Sequence, residues 1–292
     1  MNKTVLITGA SSGFGLETAR TLKSAGFHVY AGVRDIQERN RSVAGDLIKV
    51  GIVPVELDVT CDDSVNLAVN RILIESGGEI GTVINNAGIA VAGVSESFTS
   101  EQVQKVFDVN VLGVHRVLRA TLPALRKQKD GLIINIGSIL GRVTFPFFGL
   151  YGASKYALEA LTESYRYELV NLGIDVVLVQ PSAYPTNMYS AMLQAENVTV
   201  AQEYGAISDI PSTMFKAFSE MFSSDSSPSV SEVAESILSV VTAAKEQRPS
   251  RVVVGASYGS DLITRADEPV QEQVLLDLGL DILSRRATSA CS

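Results

Sequence analysis

Cysteine and histidine are scarce in this chain of 292 residues, and their scarcity excludes several kinds of protein. The two cysteines, Cys61 and Cys291, are too few and too far apart in sequence to form a disulfide framework. The two histidines, His28 and His115, do not lie at a spacing that would complete a zinc site with them. No metal site is therefore expected, and the low cysteine content is typical of a reduced, cytoplasmic setting.

Basic residues and long apolar runs are also in short supply. The chain has 24 lysines and arginines against 32 aspartates and glutamates, which gives a formal net charge of −8. A surface of this sign repels nucleic acid and anionic membranes, so we expect neither as a partner. No segment approaches the roughly 18 consecutive apolar residues that span a bilayer. The first residues show no secretory cleavage pattern, and we expect a soluble protein.

What the chain does contain is an alternation of short apolar runs with longer helical stretches. Seven runs are typical of strands, near residues 4–7, 29–31, 53–57, 83–84, 132–136, 176–179 and 251–254. Helical stretches lie between them, roughly at 14–25, 38–50, 62–76, 100–128, 150–172 and 230–246. Several strand runs are continuously apolar, as in strands covered on both faces. The alternation predicts an α/β fold: a doubly wound, mostly parallel seven-stranded sheet with helices on both faces.

No second domain boundary interrupts this alternation, so we expect one domain over residues 1–256 and a C-terminal extension over 257–292. Residues 183–229 depart from the alternation and are predicted to form an insert. The insert carries seven large apolar side chains: Met188, Met192, Met214, Phe215, Phe218, Met221 and Phe222. The last five of these lie at helical spacing. They indicate either core packing or a lid over an apolar substrate pocket. Phe145, Phe147, Phe148 and Tyr184 are candidates to complete that pocket.

A glycine-rich turn follows the first predicted strand and begins the first predicted helix. Residues 8–15 have the sequence TGASSGFG, with glycines at the spacing G-x-x-x-G-x-G. Glycine permits a tight turn and a close approach of the backbone to a pyrophosphate, and the helix amino terminus supplies N–H groups. The turn therefore predicts a dinucleotide site formed by Gly9, Ser11, Ser12, Gly13, Phe14 and Gly15.

The same turn fits a second chemistry, since Gly9, Ser11 and Gly13 match the G-x-S-x-G pattern of serine hydrolases. In that class a histidine base activates the serine. His28 is predicted at the start of the second strand and His115 on a long helix, and the pattern does not lie on the first strand in that class. A hydrolase that uses Ser11 is therefore the weaker alternative.

Polar motifs follow the later strands in a fixed order. They are Asp58-Val59, Asn85-Asn86-Ala87-Gly88, Ser138, Tyr151-Gly-Ala-Ser-Lys155, and Pro181 with Thr186, while Asn110 lies in a predicted helix. Open α/β sheets bind ligands at the carboxyl ends of their strands, where all of these motifs except Asn110 are predicted. In this order the motifs resemble the short-chain dehydrogenase/reductase superfamily, in its single-domain Rossmann-fold branch, over about residues 3–256.

The resemblance implies the activity, the partners and many of the site residues. The implied catalytic residues are Asn110, Ser138, Tyr151 and Lys155. The implied cofactor contacts are Asp58 and Val59 at the adenine, Asn85, Asn86, Ala87 and Gly88 along the dinucleotide, and Tyr151, Lys155, Pro181 and Thr186, the last near the nicotinamide. The implied partners are a small carbonyl or alcohol substrate and further copies of the chain, in a homodimer or homotetramer formed through helices 100–128 and 150–172. The family usually has glycine after the proline, where this chain has Ser182, and we expect Ser182 to narrow the nicotinamide site or reshape the substrate loop.

Tyr151 and Lys155 are spaced i, i+4 and therefore share one face of a helix. Hydride addition to a carbonyl creates alkoxide charge, which a proton and hydrogen bonds must meet. A cation ~4 Å from the phenol, at an effective dielectric of ~20, favours the phenolate by ~4 kcal/mol, or about three pKa units. We therefore expect Lys155 to bring the pKa of Tyr151 towards neutrality. Ser138 is expected to hydrogen-bond the carbonyl oxygen, and the resemblance implies that Asn110 holds a proton-relaying water behind Lys155.

The end of the second strand predicts the choice of cofactor. An acidic residue there binds the ribose hydroxyls of NAD, whereas this chain has Val33 followed by Arg34. Arginine suits a 2′-phosphate, so NADP(H) is favoured over NAD(H), although a shift of one residue would bring Asp35 to the same place. The sequence thus predicts an NADP(H)-dependent oxidoreductase that interconverts a carbonyl and an alcohol on a bulky apolar substrate. A non-redox, cofactor-binding regulatory relative is the other alternative.

Overall fold

A single seven-stranded sheet forms the centre of the protein, for which a computed structural model describes residues 3–283. The strands are β1 (Thr4–Thr8), β2 (His28–Val33), β3 (Val53–Glu56), β4 (Thr82–Asn85), β5 (Gly131–Ile136), β6 (Ile174–Pro181) and β7 (Arg251–Val254). All neighbouring strands pair in parallel, in the order β3-β2-β1-β4-β5-β6-β7. The predicted doubly wound α/β fold is confirmed, and the sheet is wholly rather than mostly parallel. Cys291 lies outside the described residues.

Ten α-helices connect and cover the strands within residues 3–283. They are α1 (Gly13–Ser24), α2 (Arg41–Lys49), α3 (Asp62–Glu75), α4 (Ser100–Phe107), α5 (Gly113–Gln128), α6 (Gly149–Leu169), α7 (Val198–Glu203), α8 (Ile210–Phe222), α9 (Val230–Thr242) and α10 (Ser260–Asp277). The single helix predicted over 100–128 is divided into α4 and α5 by a π-helical turn at Asp108–Leu112. The helix predicted over 230–246 ends earlier, at Thr242, because the chain becomes extended at Ala243.

The two faces of the sheet carry separate cores. In β1, Val5 and Ile7 pack in one core and Leu6 in the other, because successive side chains of a strand point to opposite faces. Both cores are closed by helices, so every residue of β1, β5 and β6 is buried. This explains why the sequence runs of these strands are continuously apolar rather than alternating.

The insert and the extension both contain helices. The apolar residues at helical spacing in the insert form α8, which packs with a third apolar cluster that includes Tyr151, Phe148 and Met192. The extension, for which the sequence predicted no element, forms α10. Within residues 3–283 no helix has the length and apolar character needed to cross a membrane.

Candidate active site

The glycine-rich turn after β1 is locked to the chain that follows β4. The Thr8 hydroxyl accepts the backbone N–H groups of Asn86 and Ala87, both at 3.0 Å. The Asn86 side-chain amide donates to the carbonyls of Thr8 at 2.9 Å and Gly9 at 3.0 Å. The strands meet here because β1 and β4 are neighbours, although β4 comes much later in the chain. This junction is the point where the direction of the strand order reverses, the usual place for a ligand in such sheets.

The turn has the shape that a pyrophosphate requires. Gly9 and Gly13 have φ of +66° and +54°, in the left-handed region that favours glycine. A Cβ on Gly9 would lie 2.8 Å from the Cα of Ala87, so no larger residue fits. Helix α1 begins at Gly13 with no side-chain hydrogen bond from its N-cap, Ser12, and no acidic residue in its first turn. Its N–H groups are therefore directed at the cleft, where an anionic group fits.

We call this depression the glycine cleft. Eleven of the predicted cofactor contacts line it: Gly9, Ser11, Ser12, Gly13, Phe14, Arg34, Val59, Asn86, Ala87, Gly88 and Thr186. Thr186 lies over the turn, with its Cβ 3.5 Å from where a Cβ on Gly13 would be. The structure thus brings together residues from the ends of the first, second, third, fourth and sixth strands.

Three predicted contacts lie elsewhere. The Asn85 side chain is buried within the sheet and donates to the Asn135 amide oxygen at 2.9 Å. The Asp58 carboxylate accepts the backbone N–H of Thr60 at 2.9 Å and its hydroxyl at 2.8 Å, and so shapes the turn after β3. Gly15 serves packing, because a Cβ there would lie 2.4 Å from the Asn86 amide nitrogen.

The lining of the glycine cleft contains Asn86 but not Asn85, and it includes residues that the sequence did not predict, Arg39 among them. The alternation of side chains along a strand could have distinguished Asn86 from Asn85, because an Asn85 buried in the sheet implies an exposed neighbour. Arg39 carried no such signal, since it lies in an irregular stretch before α2.

The far end of the glycine cleft lies where β2 ends. The strand ends at Val33, as predicted, and Arg34 is the first residue after the strand. Glu56 accepts the backbone N–H groups of Asp35 at 2.8 Å and of Ile36 at 2.9 Å, which fixes the turn. Arg34, Asp35 and Arg39 all line this end, and Arg34 and Arg39 are exposed. Two cations and one carboxylate therefore line this end of the cleft, while the Glu56 carboxylate is engaged with the backbone of the turn.

Ser138, Tyr151 and Lys155 line a second depression, which we call the aromatic cavity. Ser138 follows β5, and its hydroxyl accepts the Leu140 N–H at 3.1 Å. Tyr151 and Lys155 lie one turn apart at the start of α6, both almost fully buried. The Ser138 and Tyr151 hydroxyls interact with each other, so three of the four predicted catalytic side chains converge.

Burial dominates the acid–base properties of this group. It raises the pKa of Tyr151 to about 12, against the opposing hydrogen bond with Ser138. It lowers the pKa of Lys155 to about 8, against the attraction of the Glu159 carboxylate. The Lys155 Nζ lies 5.7 Å from the centre of the Tyr151 ring and donates to the Ile136 carbonyl at 2.8 Å.

The prediction that Lys155 brings the pKa of Tyr151 towards neutrality is therefore wrong for these two side chains. Burial disfavours the charged form of each group, and it outweighs the Ser138 hydrogen bond at Tyr151 and the Glu159 charge at Lys155. The raised pKa keeps the Tyr151 phenol protonated at neutral pH, the form that can donate a proton during reduction of a carbonyl.

Asn110 lies in the π-helical turn and is almost fully buried. Its side-chain oxygen accepts the Ile89 N–H at 2.9 Å, and its amide donates to the Ile89 carbonyl at 2.9 Å and to the Ser154 hydroxyl at 3.0 Å. Both amide N–H groups are thus engaged in joining the chain after β4 to α6. A π-helical turn of this kind often occurs at functional sites. The water relay behind Lys155 stays a prediction.

Aromatic and sulfur-containing side chains form the walls of the aromatic cavity. They are Phe14, Phe145, Phe148, Tyr184, Met188, Tyr189, Met192, Phe218 and Tyr258. Of the apolar residues at helical spacing in α8, Phe218 lines the cavity, whereas Phe215 packs behind it against Phe148, at a ring-centre distance of 6.2 Å. Lid and core packing, the two interpretations of the insert, therefore both apply. Phe147, also predicted for this pocket, does not line it.

Ser182 lies in the wall of the aromatic cavity together with Pro181. Its backbone N–H donates to the Val254 carbonyl at 2.9 Å. The glycine that gives room here is Gly255, where a Cβ would lie 3.1 Å from the Ser182 Cβ and 2.8 Å from the Tyr184 hydroxyl. The side chain at position 182 is thus accommodated by the chain after β7.

Neither histidine can serve Ser11 as a base. His28 pairs in register with Thr4, at the amino end of the sheet, whereas Ser11 follows the carboxyl end of β1. His115 is held by the Tyr165 hydroxyl, 2.8 Å from its Nδ1. The serine-hydrolase alternative is therefore wrong, because its nucleophile has no histidine within reach.

Comparisons with known proteins agree with this arrangement. A family model described as short chain dehydrogenase matches residues 3–197. Retinol dehydrogenase 8 of Bos taurus is 34% identical over 212 residues, which cover 71% of this chain and 66% of that protein. The 3-ketodihydrosphingosine reductase of Bacteroides thetaiotaomicron is 41% identical over 182 residues, 62% of this chain and 64% of that protein.

Two solved structures share the fold over nearly the whole chain. A short-chain dehydrogenase of Burkholderia cenocepacia in complex with NADP has a TM-score of 0.67 and 26% identity, and covers 95% of this chain and 99% of its own. A short-chain dehydrogenase/reductase of Burkholderia phymatum in complex with NAD has a TM-score of 0.73 and 24% identity, and covers 92% and 95%. The chain belongs to the short-chain dehydrogenase family, and it is an oxidoreductase of that family.

Proposed function

We infer that the protein is an NADP(H)-dependent oxidoreductase that interconverts a carbonyl and an alcohol on a bulky, apolar substrate. The observation that carries this inference is the position of Tyr151. It lines the aromatic cavity, and this cavity shares Phe14, Asn86, Thr186 and Met188 with the glycine cleft. A buried proton donor thus stands where a cleft suited to a dinucleotide meets a cavity suited to an apolar molecule.

The residues of the glycine cleft fit a nicotinamide dinucleotide. The turn from Gly9 to Gly13 and the amino terminus of α1 suit the pyrophosphate, and Thr186 lies towards the aromatic cavity. When bound, such a cofactor supplies the hydride for reduction or accepts it in the reverse direction.

The side chains of the aromatic cavity then manage the proton. During reduction the Tyr151 phenol donates its proton to the oxygen that gains negative charge, and the Ser138 hydroxyl donates a hydrogen bond to the same oxygen. Lys155, with a pKa of about 8, is largely protonated at neutral pH. Its charge therefore stabilises the phenolate that remains after proton transfer.

Arg34 and Arg39 support NADP(H) as the cofactor. Both are exposed at the end of the glycine cleft beyond β2, where the ribose of the adenosine is expected. An arginine guanidinium binds phosphate oxygens through two parallel hydrogen bonds, whereas the unphosphorylated ribose of NAD(H) presents no anion to it.

The lining of the aromatic cavity supports an apolar substrate. Lys155 is the one charged side chain among its lining residues within 3–283. A small anionic keto acid would find no further cation there, while the aromatic rings can bury a large apolar body. The names of the two relatives, a retinol dehydrogenase and a ketodihydrosphingosine reductase, agree with a bulky substrate.

NADPH consumption against a carbonyl panel tests this function. The panel includes aryl ketones, steroid ketones, retinal and long-chain ketones, with small anionic keto acids as the contrasting set. We expect consumption with the bulky apolar members and little with the keto acids. A preference for keto acids would contradict the substrate class, and equal rates with NADH would contradict the cofactor.

The regulatory alternative has a distinct outcome in the same assay. A non-redox relative would bind NADPH but consume none with any carbonyl, and replacing Tyr151 would change nothing that the assay measures. Assembly into a homodimer or homotetramer and a cytoplasmic location stay predictions. Light scattering of the purified protein measures the first of these.

A further inference from the structure

The chain between β7 and α10, residues 255–259, passes directly over the aromatic cavity. Gly255 begins this segment against Ser182 and Tyr184, at distances that exclude any side chain at that position. Tyr258 follows within the segment and lines the cavity itself. A residue of the C-terminal extension therefore forms part of the wall that a substrate would contact.

Three residues of this segment have backbone conformations with positive φ. Gly255 and Gly259 have φ of +83° and +86°, and Tyr258 between them has φ of +47°. For a residue with a Cβ, the left-handed region costs about 1–2 kcal/mol. Such a conformation persists only where surrounding contacts determine it, and residues of this kind cluster at functional sites.

The Tyr258 ring packs against Phe145 and lies near enough to Tyr189 for the two hydroxyls to interact. It meets Phe145 edge to face, with ring centres 5.3 Å apart and an interplanar angle of 85°. The residue is nevertheless 59% exposed, which is unusual for a large ring in an aromatic wall. The ring thus stands at the mouth of the cavity, with apolar surface that a bulky ligand can cover.

An ion pair joins the following helix to the residues around Ser138. The Asp267 carboxylate of α10 lies 2.8 Å from the Arg142 guanidinium, close after Ser138 in the chain. Arg142 in turn lies 2.5 Å from the buried Glu159 carboxylate, one turn beyond Lys155 on α6. This chain of charges fixes the position of α10, and with it the segment that carries Tyr258, relative to the catalytic helix.

We propose that Tyr258 is a specificity-determining residue whose ring forms the outer wall of the aromatic cavity, and that the Arg142–Asp267 ion pair positions it. Its ligand is a carbonyl compound with a flat, apolar body long enough to extend from Tyr151 to the mouth. The carbonyl part of this statement rests on the proposed function, whereas the apolar contact does not.

The fluorescent aryl ketone 6-propionyl-2-(dimethylamino)naphthalene separates the apolar contact from the carbonyl chemistry. Its binding is measured by emission and its reduction by NADPH consumption. We expect Tyr258→Ala to weaken binding about tenfold, or about 1.4 kcal/mol. Tyr258→Phe keeps the ring and should bind within twofold of the wild type. In turnover, Tyr258→Ala should raise KM and leave kcat within about threefold, since the Tyr258 ring is exposed whereas the proton donor Tyr151 is buried.

Asp267→Asn tests the ion pair, with the neighbouring exposed residue as its control. We expect about threefold weaker binding for Asp267→Asn and wild-type binding for Glu268→Gln. Thermal unfolding establishes that each variant is folded, and Tyr258→Leu, with an expected three- to fivefold loss, replaces the alanine variant if that one does not fold.

Wild-type binding by Tyr258→Ala or Tyr258→Leu would overturn the proposal, as would an equal loss in Tyr258→Phe, which would assign the effect to the hydroxyl. Equal binding by Asp267→Asn and Glu268→Gln would overturn the positioning role. Binding of the ketone without any NADPH consumption would count against the proposed function, while the binding series would still decide the role of Tyr258.

Discussion

The glycine cleft and the aromatic cavity adjoin each other but are built from different material. The cleft is lined by the glycine turn and by residues at or after the ends of β1, β2, β3, β4 and β6, glycine, serine and alanine among them. The walls of the cavity are large side chains from the loops after β5 and β6, from the insert and from the extension. One region binds through N–H groups and glycine geometry, and the other through apolar surface.

This difference indicates which changes each region tolerates. A backbone site depends on φ, ψ and close approach, so one added methyl group can abolish it. A side-chain site depends on bulk, so substitutions there alter which molecule fits rather than whether the site exists. Tyr151 and Lys155 line the aromatic cavity, which shares four residues with the glycine cleft, and we expect their substitution to affect the reaction more than binding.

The largest effect is expected from Tyr151→Phe, which removes the proton donor and keeps the ring. Turnover should fall between about 100-fold and 10,000-fold, while the Kd for NADPH stays within twofold. Steady-state kinetics and fluorescence titration measure the two quantities. Tyr165→Phe on the same helix, facing His115, is the control and should keep wild-type turnover. Turnover retained in Tyr151→Phe would remove the phenol from the reaction.

Lys155→Met tests how strongly burial lowers the pKa of the Lys155 side chain. The pKa of Lys155 is about 8 in the folded protein against 10.5 ordinarily, so the unfolded chain binds more protons between these pH values. The contribution of Lys155 to the free energy of unfolding therefore rises with pH from 8 to 10.5, by about 3 kcal/mol at ~1.4 kcal/mol per unit. Urea unfolding across this range should show the rise in wild type and lose it in Lys155→Met. The exposed Lys127→Met should retain it, and an identical slope in all three would refute the effect.

Gly9→Ala tests the backbone character of the glycine cleft. A methyl group there would lie 2.8 Å from the Ala87 Cα at a φ of +66°, so we expect a loss of at least about 2 kcal/mol of stability and of most NADPH affinity. Gly45→Ala, in α2 with nothing within 4 Å of its Cβ, should instead stabilise the protein by about 1 kcal/mol. Thermal unfolding and NADPH titration compare the two, and similar behaviour would contradict the close packing of the turn.

The smallest effect is expected at the ribose end of the glycine cleft. Arg34→Ala should weaken NADPH binding about tenfold and leave NADH binding within twofold, since it removes one charge-assisted contact. Arg41→Ala, which does not line the cleft, is the control. Equal loss for both cofactors would mean that Arg34 does not recognise the 2′-phosphate.

The sequence predicted the sheet well because each strand is a short apolar run next to a glycine or a polar turn. It also predicted the glycine turn, because the glycine spacing in residues 8–15 is a pattern within a few residues. It missed the π-helical turn at Asn110, because this turn exists through bonds to Ile89 and Ser154, which lie far away in the chain. It counted Asn85 as a cofactor contact together with Asn86, because which of two adjacent asparagines faces the cleft depends on where the strand ends.

By itself the sequence determined the α/β fold, the position of the glycine cleft and the helix that carries Tyr151 and Lys155. These follow from patterns within about thirty residues, such as hydrophobic period, glycine spacing and i, i+4 separation. Only the tertiary structure decided the protonation of Tyr151, because burial depends on what covers the side chain. It also decided that Tyr258, on an extension with no predicted element, faces the aromatic cavity, because contacts between Gly255, Ser182 and Tyr184 and between Arg142 and Asp267 join segments distant in sequence.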